Sequence, residues 1–112
     1  MNISKKDQIL NLLGLATRAR KIKTGEEIVI SEIRRGNVKL VILSEDAAAN
    51  VTKNIKNKCA TYHVTLLTFA TRFELGYAIG KESRVVLGIT DIGFSKKLKT
   101  MIHDFHEEWV YE

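Results

Sequence analysis

The chain has 112 residues, 45% of them hydrophobic and 28% charged, which is typical of one globular domain and excludes a disordered chain. No apolar run reaches the roughly 20 residues that cross a bilayer, and the first residues lack the apolar centre of a secretion signal, so we expect a cytoplasmic protein without membrane contact. The net charge of +5 favours an anionic partner such as nucleic acid.

Helices and strands are predicted to alternate along the chain. Apolar spacing and capping residues give this order: helix 4–19, a very short strand at Ile22, helix 26–35, strand 40–43, helix 47–59, strand 65–69, helix 71–78, strand 84–89 and a helix from Ser95 onward. This alternation predicts a single domain over residues 1–112. Its expected fold is α/β, a three-layer α/β/α sandwich with a central mixed sheet of about four strands.

Local patterns define several of these elements. Ser4 is a predicted N-cap of the first helix, and Thr24 is a candidate N-cap of the second. Thr71 and Glu74 form the capping-box pattern at the start of the fourth helix. The strand over residues 40–43 is entirely apolar and is predicted to be central, and the strand over residues 65–69 is predicted to be a second buried one.

The positive charge lies in the first 100 residues. All eighteen Lys and Arg stand there against nine of the thirteen acids, a balance of +9. Aromatic residues make up only 7% of the chain, which is few for a protein that stacks single-stranded bases on rings. We therefore expect recognition of a folded polyanion through shape and hydrogen bonds.

The start of the second helix, Gly25-Glu26-Glu27-Ile28, is the main candidate site. Four cations precede it along the chain: Arg18, Arg20, Lys21 and Lys23. A helix N-terminus presents unpaired N–H groups that bind phosphate, whereas the two glutamates repel it. Two interpretations stay open, because the glutamates either accept hydrogen bonds from base N–H groups or only complement the helix dipole.

Other patterns carry less weight. The loop Gly80-Lys81-Glu82-Ser83-Arg84 either clamps a ligand or only turns the chain. His103 and His106 lie one helical turn apart, but beyond Glu107 no further ligand is apparent, so an exposed helix face is favoured over a metal site. Cys59 is predicted to be a core residue. No catalytic or cofactor-binding motif appears in the sequence, so we expect neither enzymatic activity nor a cofactor.

Four stretches together carry a resemblance to a known family. They are Lys23-Thr24-Gly25 opening a helix that closes at Arg35-Gly36, the run 39–46, the run 74–80, and Arg84-Val85-Val86. In order and spacing they resemble the ribosomal L7Ae/L30e family of kink-turn RNA-binding proteins, and within it small bacterial proteins of the YlxQ type. The resemblance covers residues 12 to about 100 and implies a three-layer α/β/α fold that binds RNA sharply bent at sheared G·A pairs.

The resemblance also implies where RNA binds. In such proteins the second helix begins against the guanines of the G·A pairs, and the loop before the last strand covers an extruded base. The implied RNA-binding residues are Lys23, Thr24, Gly25, Glu26, Glu27, Ile28, Lys81, Glu82, Ser83 and Arg84. Arg18, Arg20 and Lys21 are electrostatic candidates from their position and charge, as are Lys81 and Arg84.

The sequence departs from the family pattern in three places. A downstream position that is often Lys falls on Ser31, and the usually apolar covering loop is Lys81-Glu82-Ser83. The third departure is at two recognition positions of the second helix. The usual Asn and Glu fall on Glu27 and Ile28. Glu27 can still accept a hydrogen bond from guanine and Ile28 cannot, while Glu26 beside them is a substitute acceptor.

The sequence thus predicts a non-catalytic protein that recognises and stabilises kink-turn RNA, either ribosomal or regulatory. We expect a monomer, with the ribosome as a candidate partner. The alternative is an adaptor for ribosome assembly or protein interaction that keeps the fold and has weakened RNA readout.

Overall fold

The computed structural model describes the backbone of residues 3–111 and the side chains of residues 3–107. Within these residues, five helices and four strands alternate in the predicted order. They are α1 (Lys5–Arg18), β1 (Ile22–Thr24), α2 (Glu26–Arg34), β2 (Leu40–Leu43), α3 (Ala49–Tyr62), β3 (Thr65–Thr68), α4 (Arg72–Ala78), β4 (Val86–Ile89) and α5 (Ile92–Tyr111). None of the helices in the described part of the chain is both long and apolar enough to span a membrane.

The strands form one mixed sheet in the order β1-β4-β2-β3. β2 and β3 are parallel, and β4 runs antiparallel to both of its neighbours. The carboxyl ends of β1, β2 and β3 therefore lie with the amino end of β4 along one edge, which we call the upper edge. The other ends of the strands form the lower edge. The predicted mixed sheet and the central position of β2 are confirmed.

Helices cover both faces of the sheet, which confirms the three-layer α/β/α sandwich. α1, α4 and α5 pack on one face against Leu40 and Ile42, whereas α2 and α3 pack on the other against Val41 and Leu43. Successive side chains of a strand point to opposite faces. β2 is therefore apolar at every position because it contributes to two cores.

The predicted caps of α1 and α4 are confirmed. The Ser4 hydroxyl accepts a hydrogen bond from the Asp7 backbone N–H at 3.0 Å. At α4, the Thr71 hydroxyl accepts from the Glu74 N–H, and the Glu74 carboxylate accepts from the Thr71 N–H. These bonds satisfy amides that have no partner inside their helices.

The predicted strand over residues 65–69 is present as Thr65–Thr68, but the prediction that it is a buried strand is wrong. β3 ends at Thr68, lies at the edge of the sheet, and has half-buried to exposed side chains. A strand with one neighbour is covered less completely than β2.

The bounds of the third helix also differ from the predicted 47–59. α3 begins at Ala49 and runs to Tyr62, and His63 ends it in the left-handed conformation.

The last helix begins at Ile92, three residues before the predicted start at Ser95. The Asp91 carboxylate accepts a hydrogen bond from the Phe94 N–H at 2.8 Å, which is the geometry of an N-cap. Gly93 therefore belongs to the first turn of α5.

Candidate nucleic-acid interface

The chain enters α2 at the upper edge through Gly25. Its φ of 98° is a conformation that residues with a side chain rarely adopt, so the backbone itself requires glycine here. Gly25 occupies the N-cap position, and no side chain in the described part of the protein bonds to the first-turn amides. The start of α2 therefore keeps N–H groups without acceptors, together with the positive end of the helix dipole.

Thr24 does not cap α2, which corrects the prediction. Its hydroxyl instead donates a hydrogen bond to the backbone carbonyl of Val86 at 2.9 Å. The bond joins the end of β1 to the beginning of β4. It thereby brings the start of α2 beside the loop that precedes β4.

The first three side chains of α2 have different surroundings. The Glu26 carboxylate is half-buried and accepts a hydrogen bond from Asn54 Nδ2 of α3 at 2.9 Å. Glu27 is exposed, and Ile28 is 55% exposed, which is a high value for a large apolar side chain. The helix start thus presents one carboxylate and one apolar side chain outward, while Glu26 is held against α3.

The loop over residues 80–85, which we call the β4 loop, is packed tightly on α4. A Cβ atom added to Gly76 would lie 2.5 Å from Ser83 Cα and 2.7 Å from Ser83 N, so only glycine permits this approach. The Lys81 N–H donates to the Gly76 carbonyl at 2.8 Å, and the Arg84 N–H donates to the Arg72 carbonyl at 2.9 Å. The loop is therefore anchored to α4 at both of its ends.

Three cations lie at this edge. Lys23 and Lys81 are exposed, and neither forms an ion pair among the described residues. Arg84 is half-buried, and its Nη1 donates to the Ser83 carbonyl at 2.6 Å. The two ammonium groups are available to an anion, whereas the guanidinium of Arg84 is partly engaged. Glu82 is exposed and Ser83 is half-buried in the same loop.

A neighbouring ion pair secures α4 to the end of β2. The Asp46 carboxylate accepts a hydrogen bond from the Arg72 backbone N–H at 3.0 Å and lies 3.4 Å from Arg72 Nε. Burial opposes ionisation of Asp46, but hydrogen bonding to Ser44 and to the Arg72 backbone, together with the charge of Arg72, outweighs it and lowers the pKa. Arg72 is therefore engaged in contacts with Asp46, whereas Lys23 and Lys81 form no ion pair among the described residues.

The remaining predicted cations, Arg18, Arg20 and Lys21, lie at the lower edge. They end α1 and form the turn into β1, and the Lys21 carbonyl accepts a hydrogen bond from the Thr90 N–H just after β4. The three residues of β1 separate Lys21 from Gly25, a distance of about 13 Å over four steps of extended chain. The structure thus brings Lys23 and the β4 loop to the start of α2, but not these three.

His103 and His106 contact neighbouring groups of the protein, and Cys59 is buried. His103 Nε2 lies 3.5 Å from Glu107 Oε1, and His106 Nε2 lies 2.8 Å from the Thr68 carbonyl. Among residues 3–107, no three His, Cys, Asp or Glu side chains come together as a metal site would require. Burial raises the pKa of Cys59 to about 11, so its thiol is protonated at neutral pH.

Sequence reasoning missed a groove of about 1100 Å³ between α1 and α4. Leu15, Phe73 and Tyr77 line it with exposed fractions of 53%, 63% and 75%. Phe73 and Tyr77 are four residues apart and lie on the side of α4 away from buried Leu75. Their spacing in the sequence could have indicated an exposed aromatic pair on one face of the helix.

The chain is similar in sequence and in structure to known proteins. The model of the Ribosomal protein L7Ae/L30e/S12e/Gadd45 family matches residues 7–99. The chain is 50% identical over 91 residues to the RNA-binding protein YlxQ of Bacillus subtilis (strain 168), covering 81% of this chain and 91% of that protein. It is 41% identical over 102 residues to RNA-binding protein YlxQ of Enterococcus faecium, covering 91% and 98%.

A solved structure of a Bacillus halodurans protein of unknown function superimposes on this chain with a TM-score of 0.84 at 47% identity. The match covers 86% of this chain and 97% of that one. The resemblance drawn from the sequence, including its YlxQ-type character, is confirmed by these matches.

Proposed function

The chain belongs to the ribosomal protein L7Ae/L30e/S12e/Gadd45 family, and from this premise we propose that it is a non-catalytic RNA-binding protein that recognises kink-turns. Two similar proteins are named as RNA-binding. One observation carries the proposal: the uncapped start of α2 and the anchored β4 loop lie side by side, joined by the bond from Thr24 to Val86.

Glu27 is the proposed reader of the G·A pairs. Sheared pairs leave guanine N–H donors without partners, and an exposed carboxylate at a helix start accepts such hydrogen bonds. The Ile28 side chain has no acceptor, so its contact with the RNA is apolar. Glu26 contributes less because Asn54 already donates to its carboxylate.

Lys23 and Lys81 are the proposed phosphate contacts. Two stems converge at a kink, which concentrates their phosphates, and unpaired ammonium groups near the bend release counterions on binding. We assign the covering of an extruded base to the β4 loop, which packs tightly on Gly76. Its Lys81-Glu82-Ser83 sequence supplies polar contacts to that base.

The proposed mechanism is selection of a pre-existing conformation. Contacts to the start of α2 and to the β4 loop form together only when the RNA is bent, so binding shifts the RNA population toward the bent state. No bond is made or broken and no cofactor takes part. We place the protein in the cytoplasm as a monomer, with ribosomal or regulatory RNA as its target and the ribosome as the candidate assembly.

Fluorescence anisotropy titrations at stated salt test the proposal. A kink-turn duplex is compared with a plain duplex of equal length for the wild type, Glu27→Ala and the control Asp104→Ala. Both variants remove one negative charge, but Asp104 is exposed on α5 in the opposite layer. The preference for the kink-turn is expected to fall only for Glu27→Ala, by about 1.5–3 kcal/mol for a charged hydrogen bond. Equal affinity of the wild type for both RNAs would reject the proposal.

The second candidate function is an adaptor that binds another protein. The exposed Leu15, Phe73 and Tyr77 in the groove between α1 and α4 favour it. An adaptor with weakened RNA readout would bind both duplexes equally and only through general charge attraction. The same titration therefore separates the two functions.

A further inference from the structure

The outer face of α3 carries amides and ammonium groups but no carboxylate. Residues 47–73 contain neither Asp nor Glu. Asn50, Asn54 and Asn57 recur at helical spacing, and all three are exposed; we call them the amide stripe. Its flanking lysines are Lys53, Lys56 and Lys58, of which the first two are exposed and the third is half-buried.

The amide stripe begins beside the proposed RNA site. α2 and α3 follow strands that both end at the upper edge, so the two helices start together on the same face of the sheet. The hydrogen bond from Asn54 Nδ2 to Glu26 Oε2 at 2.9 Å joins the stripe to the first residue of α2. The stripe therefore leads away from the start of α2 along an exposed surface.

Apart from Asn54, the amides and flanking lysines of this face are free within the described residues. The side chains of Asn50 and Asn57 make no hydrogen bond there, and the three flanking lysines form no ion pair. An exposed helix often pairs opposite charges three or four residues apart, and α3 has no acid with which to do so. Its lysines are thus unneutralised by their own helix.

These groups match the surface of an RNA stem. The wide minor groove of A-form RNA presents 2′-hydroxyls, which both donate and accept hydrogen bonds, and phosphates line its borders. Amide side chains also donate and accept, whereas ammonium groups donate only. Amides in a central row with lysines beside them therefore correspond to hydroxyls between phosphates. An acidic peptide would use the lysines and leave the amide row without a counterpart.

We propose that the amide stripe and its flanking lysines bind the minor groove and adjoining phosphates of one RNA stem that leaves the kink. The contact is to sugar and phosphate, so it does not depend on the stem's sequence. This inference rests on the proposed function, because a kink seated on α2 is what directs a stem along α3.

The test measures full-length protein against four kink-turn RNAs. One has both stems short, two have either stem extended, and the fourth carries 2′-deoxy sugars in the stem whose extension raises affinity. Two double variants probe the surface: Asn50→Ala with Asn57→Ala, and Lys53→Gln with Lys58→Gln. The control pair, Lys96→Gln with Lys97→Gln, removes the same charge from exposed positions of α5 in the opposite layer.

Extension of one stem is expected to raise wild-type affinity about tenfold, and 2′-deoxy substitution to reverse that gain. The asparagine variant should no longer respond to 2′-deoxy substitution. The lysine variant should lower the slope of log affinity against log salt by about two, while the control pair leaves it unchanged.

Equal effects of the two lysine pairs, or no gain from either stem extension, would overturn this inference. A wild type that prefers the kink-turn while both α3 variants bind like the wild type also overturns it, and leaves the proposed function standing. A wild type without any preference for the kink-turn rejects both.

Discussion

Both edges of the sheet carry cations, but α2 at the upper edge and α5 at the lower edge begin differently. At the upper edge α2 begins at Gly25, and no side chain in the described part of the protein caps its amides. At the lower edge α5 begins after Asp91, whose carboxylate accepts the Phe94 N–H at 2.8 Å. A capping carboxylate satisfies an amide and offsets the helix dipole. The proposed RNA site therefore differs from the lower edge in its unsatisfied backbone donors, which lie beside unpaired lysines.

Gly76→Ala is expected to have the largest effect at the upper edge. Its Cβ would overlap the Ser83 backbone, so the β4 loop must move, at a cost of about 1–3 kcal/mol of unfolding free energy. Urea denaturation measures the loss, and hydrogen exchange of residues 81–84 should accelerate. The matched variant Gly93→Ala at the lower edge meets only the end of the Asp91 side chain, at 3.1 Å, and should change stability much less. Equal losses would break the contrast between the edges.

Gly25→Ala and Gly36→Ala separate backbone strain from RNA recognition. Both glycines have positive φ, 98° and 78°, so each alanine variant is expected to lose about 1–2 kcal/mol of stability. Gly36 lies after the end of α2, away from the upper edge. At a temperature where both variants are folded, only Gly25→Ala should lose its preference for kink-turn RNA in the anisotropy titration. A similar loss in Gly36→Ala would assign the effect to stability.

Charge removal tests whether the two edges contribute equally to RNA binding. The double variant Lys23→Gln with Lys81→Gln should lower the slope of log affinity against log salt by about two. Arg20→Gln with Lys21→Gln removes the same charge at the lower edge and should leave the slope nearly unchanged. A larger decrease of the slope for Arg20→Gln with Lys21→Gln would show that the lower edge faces the RNA.

The smallest expected effect concerns acid stability at the start of α4. The hydrogen bond from Lys6 to the Glu74 carboxylate lowers the Glu74 pKa; burial opposes this shift, and the bond from Thr71 supports it. The resulting stability is complete above the unfolded-state pKa near 4.5 and is lost as pH falls through the lower folded-state pKa. Glu74→Gln should flatten this part of the stability curve, by less than about 1 kcal/mol for a partly exposed pair. An unchanged acid limb in denaturation at several pH values would contradict this assignment.

Most of the fold followed from local patterns. An apolar run can be recognised as a buried strand, and a capping box marks a helix start wherever it occurs, as for β2 and α4. The exposure of β3 could not be read in the same way, because it depends on which strands become neighbours. The predicted start of α5 at Ser95 was three residues late, because the Asp91 cap is visible only once the helix is built.

The candidate site was predictable in part. Gly25 stood out because glycine before a helix marks a turn, and family resemblance added the β4 loop. The six residues 18–23 looked like one basic cluster, but β1 carries Lys23 to the upper edge and leaves Arg20 and Lys21 at the lower. Two contacts of the site could not be predicted from any local pattern, because they join distant parts of the chain. They are the contact of Gly76 with Ser83 and the hydrogen bond between Asn54 and Glu26.

Hydrogen exchange of the full chain, with and without saturating kink-turn RNA, shows which edge of the sheet binds RNA. We expect slower exchange at backbone amides of residues 25–29 and 80–85, with no change over residues 18–21. Protection confined to residues 18–21, with the upper edge unaffected, would contradict this expectation.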